Sequence, residues 1–379
     1  MPQELTLAPD GAGVPEILGR HPDQSAYTVT DITAVGDIDS AVAAVSDDGV
    51  VVGASSTAAA FEWTPNSANS TSGRLTQLNV FSSPVVIPTG VNRGGDIVGI
   101  YAGSDNQPHG FLIHHGKAKD IGTLGGPSSR ANAINNDGEV VGASQTASGD
   151  IHAVAYDGKL HDLGTASRAD HYSEAFAVNN AGTAVGRSGP SPANSVAAIF
   201  DDGHVASIGT LGGASSAATD INDGGVISGF AQLSNGVEHA FIYDSSARGA
   251  RMHDLGTLGG MNSIAGSIND DGTIVGQADT PRTATTGLPD AFVDYGMGLV
   301  DLNSLISSKA QSHWDLVQAL VDKFRQTSPV KSAEFRRKAP NGREPSVRFY
   351  PLGINQTGQI VGIGLLDGSA HAFLLTPAH

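Results

Sequence analysis

One segment recurs along this chain at nearly constant spacing, and that recurrence constrains the fold more tightly than any other feature. The unit reads GTLGG, a stretch of small residues, [I/V]N-x-x-G-x-[V/I]-V-G, a variable polar loop, an HAF-like triplet, a turn and D-[L/I]. The glycine closing the VVG element falls at Gly53, Gly99, Gly142, Gly186, Gly229, Gly276 and Gly362, at intervals of 46, 43, 44, 43, 47 and 86 residues. Each unit holds four short β-type runs; in the third they are residues 131–135, 139–142, 153–156 and 159–163. Turns such as Asn135-Asn136-Asp137-Gly138 supply the positive-φ positions of tight hairpins. Four strands per ~40–45 residues is the period of a β-propeller blade.

The two ends of the repeat region fit together. The seventh unit stops after its third run, at residues 371–375, while residues 27–32 form an orphan fourth run near the other end. Pairing the two completes a seventh blade and hides sheet edges that would otherwise template aggregation. The expected fold is all-β: a seven-bladed β-propeller of four-stranded blades closed by the N-terminal strand. Residues 27–379 are expected as one domain behind a flexible segment, 1–26.

The repeat also carries a family resemblance. His239-Ala240-Phe241-Ile242-Tyr243, His371-Ala372-Phe373-Leu374-Leu375 and the GTLGG segments at 122–126, 209–213 and 256–260 resemble the HAF repeats of predicted bacterial extracellular proteins. The resemblance covers about residues 27–302 and 350–376. It implies a bacterial, exported repeat protein and transfers no catalytic residue set. Residues 1–25 have neither a basic start nor an apolar core, so no Sec-type leader is read in this chain.

Charge and composition narrow the partners. With 21 Lys+Arg against 38 Asp+Glu, the formal charge is −17, which argues against nucleic acid. No apolar run approaches the ~18 residues of a membrane span. The chain has 0 Cys, which removes thiol catalysis, disulfides and cysteine–zinc sites. No cofactor or metal is expected, although the Asp/Asn-Gly turns allow isolated structural calcium. The protein is expected as a monomer.

The 86-residue interval contains an insertion, residues 303–350, between units six and seven. Ala310, Trp314, Val317, Val321 and Phe324 recur at helical spacing, and Ser307, Ser308 or Ser312 could cap the start, so a helix is expected over 308–326. A stretch containing Lys331, Arg336, Arg337, Lys338, Arg343 and Arg348 follows it. The insertion carries nine Lys/Arg against four acids, a basic flap on an acidic body. It is either a packed helix with a solvated loop or a lid or partner-docking element. In a propeller, connections from run four to the next run one emerge on the same face as those from run two to run three. The insertion therefore rises on the face where propellers commonly place their sites.

Residues that break the repeat are the best site candidates, because symmetry does not explain them. Asn92, Asn135, Asn179, Asn222, Asn269 and Asn355 are read as turn residues. His109, His152, His239 and His371 share one repeat position and are read as structural hydrogen-bonding groups. Unit four, by contrast, replaces GTLGG with a segment bearing Arg168, Asp170, His171, Tyr172 and Glu174. Arg187 follows Gly186 where other units have Ala, Ile, Phe or Gln, Asp220 stands where they have Ala, Gly or Ser, and Arg130 and Asp150 belong to the preceding unit. His171 and Tyr172 can move protons, and Arg168 and Arg187 can pin a carboxylate or stabilise an anion. Arg130, Asp150, Asp170, Glu174 and Asp220 are the ligand-binding candidates.

Two functions stay open at this point. One is a non-catalytic scaffold recognising a glycan or protein on the loop face that bears the insertion. The other is a lyase or hydrolase acting on an acidic saccharide at the channel mouth. A third, a secreted effector docking through the basic flap, rests on the charge asymmetry alone.

Overall fold

The computed structural model describes residues 26–32, 40–55, 60–316, 352–367 and 369–378. Each unit forms an antiparallel meander, as its alternating runs and turns dictate. Ser40–Val45, Val51–Ser55, Ala60–Pro65 and Gly73–Gln77 make the first four-stranded sheet. Val86–Val91 to Lys117–Asp120, Gly212–Ile221 to His253–Gly256, and Ser263–Ile268 to Leu299–Asp301 make three more of the same kind. Units three and four share one eight-stranded sheet, joined by a single parallel bridge between Ile151 and Tyr172. The architecture is all-β and propeller-like, with apolar clusters sandwiched between successive units. One cluster, for example, joins Val52 and Ala60 of unit one to Val86, Ile97 and Phe111 of unit two.

The remaining sheet contains both chain ends. Ile360–Leu366 pairs with Ser369–Pro377, which pairs in turn with Tyr27–Asp31, with Tyr27 opposite Pro377 and Val29 opposite Leu375. This is the partner the sequence assigns to residues 27–32.

Two side-chain rules give the unit its shape. The glycine closing VVG lies directly across from the aromatic of the HAF triplet: Gly99 from Phe111, Gly229 from Phe241, Gly276 from Phe292 and Gly362 from Phe373. All four rings are fully buried, covering surface that the missing side chains leave bare. A Cβ at Gly229 would collide with the Phe241 ring and the Ala217 carbonyl. The second rule concerns the turn asparagine. Its Oδ1 accepts from the backbone N–H four residues on, as in Asn222 to Val226 at 2.9 Å. Its Nδ2 reaches the next unit: Asn92 to Asn135 O, Asn135 to Asn179 O, Asn179 to Asn222 O, Asn222 to Asn269 O, Asn269 to Asn355 O and Asn355 to Ser46 O, all within 2.9–3.4 Å. The asparagines thus close their own hairpins and also bolt neighbouring units together.

The helix expected over 308–326 is corrected over its described part, residues 308–316. Ser307 caps it, its side chain accepting from the Ala310 N–H, but the helix spans only Ser308–Gln311. Trp314 and Asp315 then pair with Leu366 and Leu365 as an extra edge strand. Trp314 is buried with its ring edge-on to His371 and Phe373. Its apolar signal reflects packing on the seventh unit, not a helical stripe. Val317, Val321, Phe324 and the basic stretch from Lys331 to Arg348 lie outside the described residues, as do residues 1–25.

Candidate functional site

Strand register brings part of the candidate set together. Glu174 lies on the first strand of unit four, Tyr172–Val178, directly across from Arg187 on the second, Ala184–Ser191. Gly186, beside Arg187, must lack a Cβ because one would collide with the Glu174 carbonyl. From unit three, Arg130 Nη1 comes within 3.7 Å of Glu174 Oε1 and Asn132 Nδ2 donates to the same oxygen at 3.2 Å. The Tyr172 hydroxyl donates to Glu174 Oε2 and accepts from Arg187 Nη2 at 2.7 Å and Nε at 3.1 Å. The guanidinium also stacks over the Tyr172 and Phe176 rings, 5.0 and 5.3 Å from their centroids.

Electrostatics favour the ionised carboxylate and the neutral phenol in this cluster. Burial alone would raise the Glu174 pKa, yet Arg130 and Arg187, helped by the Tyr172 and Asn132 hydrogen bonds, bring it below the usual carboxylate range. The Tyr172 hydroxyl is pushed above its ordinary value, first by burial, then by the Glu174 carboxylate, against the opposing pull of Arg187. Two cations therefore face one buried carboxylate and a neutral phenol.

The other candidates sit apart from it. His171 is exposed, and its Nδ1 lies 3.0 Å from Asp150 Oδ1 on the rim. The Asp150 pKa is lowered, chiefly by the hydrogen bond from Ser148 and then by His171. Asp170 accepts from Ser188 Oγ at 3.2 Å. Arg168 stands exposed on the connecting turn.

Asp220 does not belong to this group, which corrects the sequence grouping. It lies two residues before Asn222, whereas Glu174 lies five before Asn179. At ~3.3 Å per strand residue that is about 10 Å nearer the asparagine turns. It is also one unit further on, between units five and six, where Ser267 Oγ and the Ile268 N–H donate to its Oδ2 at 2.7 and 3.0 Å.

The shared-position histidines behave as structural groups. His109, His152, His239 and His371 each meet an aspartate from the fourth strand of the same sheet: Asp120, Asp162, Asp254 and Asp31, at 2.8–3.1 Å. In unit six Asp290 takes this place and binds Arg282 at 2.5 Å, which also binds Asp315 of the insertion at 2.9 Å. Among the described residues no three His, Asp or Glu side chains gather as a metal site requires. Also among them, no helix is long and apolar enough to cross a membrane.

Comparisons with known proteins assign this chain no activity. Residues 159–333 match the model of a family described as a protein of unknown function, DUF3466. No curated protein matches the sequence. Among solved structures, the β-propeller domain of the Trilobed protease from Pyrococcus furiosus is similar at 10% identity and a TM-score of 0.48, over 89% of this chain and 93% of that one. A puromycin-hydrolyzing peptidase of Mycobacterium tuberculosis is similar at 15% identity and 0.46, over 91% and 51%. TolB from Acinetobacter baumannii is similar at 12% and 0.42, over 69% and 62%. None of the three bears on activity.

Proposed function

We propose that this protein is a non-catalytic, ligand-binding propeller of seven blades, presenting a glycan- or protein-recognition surface on the loop face beside unit four. Counting the eight-stranded sheet as two blades gives the seven. Pairing of Tyr27–Asp31 with the C-terminal strand and the Asn355–Ser46 hydrogen bond support a closed ring. On this reading the chain is a kin of the HAF-repeat proteins and works outside the cell.

The observation that carries the choice is how the unit-four side chains divide. Acid–base catalysis needs a group whose pKa lies near the working pH and which reaches the substrate. Tyr172 and Glu174 are buried, bonded to each other and pushed away from neutrality in opposite directions. Arg168 and His171 are exposed and Asp150 is half-buried beside His171, where they suit contact with a ligand. A lyase or hydrolase would need the four candidates Arg168, His171, Tyr172 and Arg187 around one cavity, and only Tyr172 and Arg187 meet.

A glycan array probed with the intact protein, in parallel with turnover assays on polymeric uronates, tests the reading. Binding without turnover is expected, weakened by Arg168→Ala and His171→Ala and retained in Tyr172→Phe. Cleavage of any uronate polymer that Tyr172→Phe abolishes would overturn it.

A further inference from the structure

Four repeat positions carry bonds from one unit to the next; among the described residues the first two act at six of the seven junctions, the third at three and the fourth at four. The turn asparagine donates to the following unit's turn carbonyl, as described above. The residue after it donates its backbone N–H to a side-chain oxygen at the same position one unit on: Arg93 to Asn136, Asn136 to Asn180, Asn180 to Asp223, Asp223 to Asp270, Asp270 to Gln356 and Gln356 to Asp47. Three residues before the asparagine, Thr89, Asn132 and Thr219 donate to the next unit's Ala131, Ala175 and Ala265 carbonyls. Six before it, Ser129, Ser173, Ser216 and Ser263 accept from the preceding unit's Gly110, Ala153, Ala197 and Ala240 N–H groups.

All four fail between units one and two, for reasons written in the residue types. Ser46 replaces the asparagine; its hydroxyl accepts from the Val50 N–H, but it has no amide to reach Asn92. Arg93 holds the place of the acceptor, and a guanidinium carries donors only. Ala43 and Val86 fill the other two positions. What joins the two units at these places is apolar contact among Val52, Ala60, Val80, Val86, Val91, Ile97 and Phe111. Apolar contact resists separation but is not directional. At the joint of the chain ends, by contrast, Asn355 and Gln356 both reach unit one.

We infer that the boundary between units one and two is a built-in seam at which the ring opens first, ahead of the joint between the chain ends. The inference rests on the closed-ring reading above. Opening there would separate two blades while the N-terminal strand stays paired.

The absence of cysteine makes native-state thiol labelling a clean test. The residue before the VVG glycine is fully buried at equivalent points: Val52 facing unit two, Val185 in the cluster between units four and five, and Val361 in the cluster joining units seven and one. Three single variants, Val52→Cys, Val185→Cys and Val361→Cys, would be labelled without denaturant after circular dichroism confirms that each is folded. With each missing bond worth several-fold in opening, Val52→Cys should react at least ~10-fold faster than the other two. Adding Ser46→Asn with Arg93→Asn should slow that site and leave Val185→Cys unchanged. Equal rates at all three protected sites would overturn the seam and leave the ring intact. Fastest labelling at Val361→Cys would overturn the closed ring as well.

Discussion

Asp220 is expected to contribute stability that is lost as pH rises, and its surroundings set the size of that contribution. Its carboxylate accepts from Ser267 Oγ, the Ile268 N–H and, through Oδ1, the Ile221 N–H at 2.9 Å. Those bonds favour the charged form, yet burial outweighs them, and the nearby Asp270 adds to it, so the pKa is pushed up from 3.8 to about 6. A folded-state pKa above the unfolded one means the folded protein holds this proton more tightly. The contribution is therefore complete below about pH 4 and is lost as pH rises through about 6. At about 1.4 kcal/mol per pH unit, the loss is on the order of 3 kcal/mol at most. Asp220→Asn keeps an acceptor and removes the charge. Urea unfolding of both proteins at pH 4, 5, 6 and 7 should show the variant gaining on the parent by up to that amount between pH 4 and 7. A difference that stays flat across this range would refute the reasoning, since it would mean Asp220 is ionised without cost.

Other positions test the two rules of the unit and the buried charge cluster. Asn179→Ala removes the bond to Asn222 and leaves the Thr183 N–H without its acceptor, so a loss of about 1–3 kcal/mol in urea stability is expected, well above that of Ser46→Ala. Phe241→Ala uncovers Gly229 in a fully buried cluster and should cost about 3–5 kcal/mol, measured by the same titration. Glu174→Gln strips the counter-charge from Arg130 and Arg187 and should cost about 3 kcal/mol or more, whereas Tyr172→Phe should cost only about 1–2.

Much of this arrangement is legible from the residues because each unit repeats one solution. The glycine of VVG and the aromatic of HAF are both visible in the sequence, and their facing register explains why they travel together. The turn asparagines are visible too, but their reach to the next unit is not, since half of what they do depends on a neighbour about 43–47 residues away. Glu174 and Arg187 stand out as departures from the repeat, and hairpin pairing makes them neighbours. Asn132 escapes such a search because it occupies a position where Thr89 and Thr219 already carry polar groups. Asp220 is misplaced by grouping departures without counting back from the turn, which alone says at which end of a strand a side chain lies. The expected helix fails at residues 312–316 for a different reason. Trp314 is apolar because His371 and Phe373 of the last unit receive it, and periodicity within the insertion does not reveal a distant partner.

Hydrogen exchange along residues 27–31 tests the closed ring most directly. In a ring whose last sheet is completed from the other end of the chain, the amides of 27–31 should be protected about as strongly as those of Lys117–Asp120, the outer strand of the second sheet. Exchange at the rate of a free peptide across 27–31, with the second sheet still protected, would show that the strand does not hold its place.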